Sequence, residues 1–485
     1  MEELDIAAVT KRSIHGVIAL VSRTFFVQIV NFVVNIFLTI LFSPTTFGVY
    51  GVVLAVIAFL NYFSDIGLAG ALIQKKDQIT EKDLSTTFTL QQTLVISVSV
   101  IALLLSPVVG SFYRLPPSGI LLFQALVVSF FLSSLKTIPS ILLERYLRFE
   151  KLVIPEIVEI LVFDTVVLVL AVKGFGISSF TYGVLARGIA GVITIYIISP
   201  WRPRFGFSKD VARKLLSFGI PFQMNSFLGL LKDDLLFAYI GKVLPFSQVG
   251  YIVFAQKWAF APLRLIMDNI IRITFPSFAR LQHDTKNLSI AVEKSLVALV
   301  SIIFPSLMGL VILGPYFISF LFTPRYLKWE PTLISLSLFA VNAAFSAIST
   351  PLTNALNAIG KIKVSLHLMI FWTIATWVLT PIAIWRFGFN GFALANAVIA
   401  FSVVYVVWLT KKYIPFSILP IFPSAFSTGV MGIILFFAAK YFVTNLLTTL
   451  LAIVFGAFIY FGILYFLSKD EMIEDVKTIK RQFAR

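Results

Sequence analysis

Lys257, Arg264, Asp268 and Arg272 share one narrow face of an otherwise apolar stretch. With a turn of about 100° per residue, the four project within an arc of about 80° on a helix. A charge at mid-bilayer costs about 2.5–3.5 kcal/mol on insertion scales, so such a face calls for water, a partner or a ligand. Two readings stand side by side. Arg264, Asp268 and Arg272, at i, i+4 and i+8, form an internal salt-bridge ladder, which still leaves one positive charge in excess, or two with Lys257. Alternatively, the face lines a water-filled cationic cavity. Guanidinium groups grip phosphate through paired hydrogen bonds, so an anionic and above all a phosphate-bearing ligand suits that cavity.

A second polar stripe lies near the N-terminus. Thr24, Gln28, Asn31 and Asn35 fall within an arc of about 60°, with Arg23 at its edge. Hydrogen-bonding glue between helices and a cavity lining both explain such amides. Arg23 either snorkels to the interface or joins Asn31, Lys257, Arg264 and Arg272 as a candidate substrate-binding residue. Asp65, Asp164 and Asp268 are candidates for ion coupling, because buried carboxylates take up protons or bind Na⁺. Glu156 and Glu159 join that list from near a membrane boundary. Lys232 beside Asp233 and Asp234 reads as mutual neutralisation, and Lys136, Arg187, Lys294 and Lys440 are single cations with no assigned role. The three histidines (His15, His283, His367) are far apart and cysteine is absent, so neither a metal nor another cofactor is expected.

The elements that position these residues follow from composition. The chain is 59% hydrophobic and 13% charged, with 50 phenylalanines in 485 residues, which excludes an ordinary soluble protein. A bilayer-spanning helix needs about 20 apolar residues. Fourteen such helices are predicted, at about 15–41, 47–74, 85–111, 119–144, 152–172, 177–199, 214–240, 247–275, 288–313, 332–358, 364–385, 391–410, 419–442 and 445–467. The first is too long, and too interrupted by Arg23 and Asn31, for a cleavable signal. With the N-terminus inside, about 24 Lys and Arg fall on cytoplasmic segments and about six outside, in agreement with the positive-inside rule. That distribution accounts for the net charge of +16 without nucleic acid. It also predicts a multi-pass protein of the cell membrane with both termini cytoplasmic.

The chain repeats itself. Phe47-Gly48-Val49-Tyr50, with Asp65 17 residues after the glycine, is matched by Val249-Gly250-Tyr251, with Asp268 18 residues after its glycine. Phe175-Gly176-Ile177-Ser178-Ser179-Phe180 reappears as Phe387-Gly388-Phe389-Asn390-Gly391-Phe392. Offsets of about 202 and 212 residues describe one duplicated unit, the usual architecture of a secondary transporter. The predicted division is an N-lobe at 1–200, a basic cytoplasmic linker at 201–214 and a C-lobe at 215–412. Two extra helices at 413–468 and a cytoplasmic tail at 469–485 complete it. The short loops leave no room for a catalytic domain, so a sugar transferase or polymerase is disfavoured and no enzymatic activity is expected. A net positive eighth helix likewise disfavours an organic-cation or drug antiporter, which remains the alternative function.

Asp65-Ile66-Gly67-Leu68, Ala71-Leu72-Ile73-Gln74-Lys75-Lys76, Ile79-Thr80 and Asp83-Leu84-Ser85-Thr86-Thr87-Phe88 resemble the oligosaccharide flippase (polysaccharide exporter, Wzx-type) family. So does Gly241-Lys242 with Val249-Gly250-Tyr251, continuing through Pro262 to Phe275-Pro276-Ser277-Phe278-Ala279-Arg280-Leu281-Gln282. The resemblance implies an all-α polytopic fold of about fourteen transmembrane helices, with two six-helix lobes around a central cavity. It places the chain in the multidrug/oligosaccharidyl-lipid/polysaccharide exporter superfamily. It also implies transfer of a polyprenyl-diphosphate-linked glycan from the cytoplasmic to the outer leaflet by alternating access, alongside a polysaccharide polymerase or glycosyltransferases. Arginines on the first and eighth helices of related lipid II flippases are implicated in holding the diphosphate. Arg23 and either Arg264 or Arg272 correspond by helix and depth, while the second-helix arginine of those relatives has no clear counterpart.

Overall fold

Five of the fourteen predicted helices are broken near their middle or their end, so fourteen segments become nineteen helices among the described residues. The computed structural model describes the backbone of residues 6–62, 67–75, 79–321 and 328–483, and their side chains apart from those of 6–21, 61, 74, 218–228, 268, 272–273 and 470–483. The chain folds as two compact units, Met1–Gly250 and Tyr251–Arg485. The first unit holds α1 (Ile6–Leu41), α2 (Pro44–Tyr62), α3 (Leu68–Gln74), α4 (Glu81–Leu104), α5 (Ser106–Tyr113), α6 (Pro117–Leu135) and α7 (Thr137–Arg145). It continues with α8 (Phe149–Val172), α9 (Ile177–Ile198), α10 (Lys209–Lys232), α11 (Asp234–Val243) and the first turn of α12 (Phe246–Arg280). The second unit holds the rest of α12, then α13 (Thr285–Leu321), α14 (Thr332–Ala358), α15 (Ile362–Phe387) and α16 (Asn390–Ala400). Next come α17 (Val403–Lys411), α18 (Phe422–Phe442) and α19 (Leu446–Phe483).

The breaks have identifiable causes. Pro107 opens α5 and Pro139 lies in the first turn of α7, where a missing N–H leaves no helical hydrogen bond unmade. The α10–α11 break falls at Asp233, whose carboxylate turns back to Lys232 at 3.3 Å. Ten helices among the described residues are long and apolar enough to cross a membrane. Of the four remaining segments, α8 and α12 carry intramembrane charge, and α2–α3 and α10–α11 are interrupted. Prediction and structure differ at the segment from Gly314: α13 runs on through Pro305 and Pro315 to Leu321, where an outward loop was expected.

In the first unit α8 packs against both α1 and α9, and α6 against α9, α4 and α2. α10 packs on α3 and α4, and α11 on α2. Phe180 of α9 is buried at the centre of an aromatic cluster, stacked on Tyr50 with ring centroids 4.0 Å apart and flanked by Phe42, Phe47 and Phe163. In the second unit α13 packs against α14, α18 and α19, while α14 also carries α15, α16 and α17. Its counterpart of Phe180, Phe392, is buried against Phe339.

The duplication read from the sequence recurs in the backbone. Gly176 (φ 57°, ψ −126°) precedes α9, and Gly388 (φ 59°, ψ −147°) follows α15. That region is open essentially to glycine alone. The same sharp joint therefore occurs at matching repeat positions, each inside its own unit.

The stretch after Gly67 has a structural explanation of its own. Thr80 caps α4, with its side-chain oxygen accepting from the Asp83 N–H while Asp83 accepts from the Thr80 N–H at 2.8 Å. Lys75 adds an ion pair to Asp83 at 2.6 Å. Arg145 of α7 donates to the carbonyls of Leu72 and Lys75, closing the open end of α3. This recognisable motif is a clamp that fastens α3, α4 and α7.

Candidate functional site

Five charged groups of the first unit converge on a cavity of about 220 Å³. α8 supplies Glu156 and Glu159 to it, three residues apart and hence on one face of the helix. Pro155 lies beside them inside the helix. Lys136 enters from the break between α6 and α7, Arg187 from α9 and Arg23 from α1. Ser140, Leu152, Ile160 and Ile195 complete the wall.

The five ionic groups are paired in two sets. Arg23 Nε lies 2.9 Å from Glu156 Oε2. Glu159 is held from both sides, by Lys136 on Oε1 and by Arg187 Nε at 3.4 Å from Oε2. The Glu159 side chain is only 10% exposed. It is seated directly on the backbone of Gly191, where a Cβ would overlap its carboxylate. Gly191 is one turn beyond Arg187 on α9, so the same helical face brings both the cation and the space for its counter-ion. Three cations against two carboxylates leave the cavity one positive charge in excess. A low-dielectric surround makes that excess costly unless water or an anion meets it.

Asp164 is buried on the same helix, one and a half turns beyond Glu159. It and Arg187 both lie close enough to Tyr50 to act on it electrostatically. Asp164 thus belongs to the inner continuation of the charged region, towards the aromatic cluster around Phe180.

The residues expected from sequence are distributed as follows. Arg23 lines the cavity, but its structural partner is Glu156. The backbone carbonyl of Asn31 accepts from the side-chain amide of Asn35, and Thr39 donates to the carbonyl of Asn35. This part of the first-helix polar stripe is therefore bonded along its own helix. Lys257 and Arg264 are exposed on one face of α12, seven residues apart. The side chains of Asp268 and Arg272, and Asp65 as a whole, lie outside the described residues. Among the described residues no group of three metal-ligating side chains occurs.

Sequence reasoning left Lys136 and Arg187 without a role and saw Glu156 and Glu159 as ion-coupling candidates near a membrane boundary, not as the partners of these cations. The structure joins all four to Arg23. Two signals pointed there: Lys136 stands three residues before a proline, and Gly191 stands one turn from Arg187 in an apolar helix.

A family profile described as "Polysaccharide biosynthesis protein" matches residues 37–333. The chain is 26% identical over 340 residues to the lipopolysaccharide biosynthesis protein WzxC of Escherichia coli (strain K12). That alignment covers 67% of this chain and 66% of WzxC. The chain is 24% identical over 391 residues to the teichuronic acid biosynthesis protein TuaB of Bacillus subtilis (strain 168), covering 78% and 79% of the two. Among solved structures, the lipid II flippase MurJ in an inward closed conformation matches with a TM-score of 0.77. The match covers 93% of this chain and 99% of that one at 15% identity, a likeness of fold.

Proposed function

The chain belongs to the polysaccharide biosynthesis protein family, and from that premise we propose that it is a flippase. Its cargo is a polyprenyl-diphosphate-linked oligosaccharide, carried from the cytoplasmic to the outer leaflet for surface polysaccharide assembly. The chain is a multi-pass membrane protein of all-α fold; its membrane is the cell membrane, and both termini face the cytoplasm. The observation that carries the reading is the cation excess of the Arg23–Lys136–Arg187 cavity inside an otherwise apolar bundle.

A diphosphate is the anion that such a cavity fits. The cavity of about 220 Å³ is many times the roughly 10–15 Å³ that a single water needs, which is room for a compact anionic headgroup. The guanidinium of Arg23 offers the forked donor geometry that phosphate oxygens accept. Lys257 and Arg264 on α12 add cationic surface in the second unit. The glycan occupies wider, wetter space, and the polyprenyl chain stays in lipid, where its transfer costs nothing. Alternating access then moves the headgroup while the tail turns over in the bilayer. Polymerase and glycosyltransferases are the expected neighbours in the assembly line.

An organic-cation antiporter of the same fold is the alternative. Every carboxylate in the cavity is already held by a cation, which leaves a cationic drug no free counter-charge there. Depleting the protein in its host separates the readings. A flippase leaves the lipid-linked glycan accessible only from the cytoplasmic face, whereas undiminished outward exposure of that precursor overturns the proposal.

A further inference from the structure

A cavity that receives an anionic headgroup holds two carboxylates of its own, and the two differ in every physical respect. Glu159 has two cationic partners, is 10% exposed and is wedged against the Gly191 backbone. Nothing can draw it out without uncovering Lys136 and Arg187 together. Glu156 has one partner among the described residues, Arg23, and its side chain is 41% exposed. It is also close enough to Glu144 of α7 for the two carboxylates to repel. One carboxylate is built in, and the other is loosely held.

We propose that Glu156 is the exchangeable counter-anion of Arg23. It occupies the guanidinium in the absence of cargo and yields it to a diphosphate, while Lys136, Glu159 and Arg187 persist as a fixed frame. The inference rests on the flippase reading of this cavity. With both carboxylates in place the five groups sum to one positive charge. Once Glu156 swings away, Arg23, Lys136 and Arg187 face Glu159 alone among the groups that line the cavity, and the charge of that lining rises to two, which matches a diphosphate better than a monoanion. A paired Arg23 also avoids the cost of an unpaired cation in a low-dielectric site, so the empty carrier is stable. The returning carboxylate competes with bound diphosphate and favours its release. Glu156 thereby sets a threshold, because a ligand must outbid a carboxylate already in contact.

Isothermal titration of the full-length protein in lipid nanodiscs with inorganic pyrophosphate tests this, with inorganic phosphate as the comparison ligand. Glu156→Gln keeps the shape and removes the charge. It is expected to bind pyrophosphate about tenfold more tightly than wild type and to keep or widen the preference for pyrophosphate over phosphate. Arg23→Ala is expected to abolish binding, and adding Glu156→Gln to it should restore nothing. Glu156→Ala provides the same reading should the Gln variant fail to fold. Unchanged or weaker binding in the Glu156 variants, with Arg23→Ala still inactive, overturns the exchange and leaves the flippase reading intact. Pyrophosphate binding that survives Arg23→Ala removes the cavity as headgroup site, and the exchange with it.

Discussion

Gly48 and Gly250 interlock reciprocally: a Cβ on either would overlap the carbonyl oxygen four residues before the other, that of Phe246 for Gly48 and that of Pro44 for Gly250. The first turns of α2 and α12 therefore touch backbone to backbone, within the first unit, in an arrangement that looks the same from either helix. These are also the two glycines that anchor the first sequence repeat. Both glycines of that repeat thus serve the same close approach of helix backbones.

That contact predicts intolerance at both positions. A Cβ on Gly48 would also come within 3.0 Å of the Gly250 nitrogen, and backbone atoms cannot swing aside as side chains do. Overpacking of this kind costs about 1–3 kcal/mol. Gly48→Ala and Gly250→Ala are each expected to lower the thermal unfolding midpoint measured in detergent. The double variant is expected to cost less than the sum, because both changes strain one contact. Wild-type midpoints for both single variants would contradict the close approach.

Gly191→Ala provides a separate test of the charged cavity. Its Cβ would displace the Glu159 carboxylate and uncouple it from Lys136 and Arg187. Transport should fall sharply while the protein still inserts. Gly462→Ala is the control, since nothing lies within 4 Å of a Cβ there, and exchanging a helical glycine for alanine is neutral or mildly stabilising. Equal transport by the two variants, at matched protein levels, would disconnect the Glu159 seat from function.

The architecture was legible because it rests on local quantities. Apolar length set the helix positions, and α14 spans the predicted residues 332–358. The repeat was legible through glycines, since Gly176 and Gly388 adopt a backbone that only glycine enters freely. The helix breaks at Lys136 and Asp233 were not legible, because proline and charge inside a membrane helix are compatible with both a kink and a straight run. The cavity was half legible. Arg23 stood out as a charge within an apolar helix, but its pairing with Glu156 joins residues 133 positions apart, and no helical period reports such a distance. Lys136 and Arg187 looked like isolated cations for the same reason: their shared counter-ion, Glu159, sits on a third helix.

Coupling is expected to depend on a buried carboxylate. Of the three candidate aspartates, Asp164 is described and buried; Asp65 and Asp268 are candidates from sequence. At least one of Asp65→Asn, Asp164→Asn and Asp268→Asn should abolish gradient-driven transport at normal expression. Ordinary ion-gradient dependence in all three would shift the driving force to the membrane potential acting on the cargo's own charge.

Orientation is expected from the roughly fourfold excess of Lys and Arg on one side. The chain has no cysteine, so a single cysteine placed at position 325 reports cleanly. A membrane-impermeant maleimide should label it in intact cells, and a cysteine at position 412 only after permeabilisation. The reverse pattern would invert the topology and, with it, the direction of transport.

The anchor itself separates charge from geometry. Arg23 lines the cavity with its guanidinium against a single carboxylate, and Arg264 is exposed on α12 on the same face as Lys257. A diphosphate accepts paired hydrogen bonds from a guanidinium, and lysine cannot reproduce that fork from one ammonium. Arg23→Lys and Arg264→Lys should therefore impair export although the charge is kept. The alanine variants should be worse, by about tenfold or more in rate, since a charge-assisted hydrogen bond contributes about 1.5–3 kcal/mol. Arg272→Lys is expected to follow Arg264→Lys if both reach the headgroup. Lys411→Ala and Lys412→Ala should change little: Lys412 rests 3.5 Å over the Trp408 ring and Lys411 beside Phe416, as residues that fix a helix end at the interface do. The assay is inner-leaflet accumulation of the lipid-linked glycan at matched protein levels. Wild-type export by Arg23→Ala and Arg264→Ala together would leave the cationic residues with a role in topology alone.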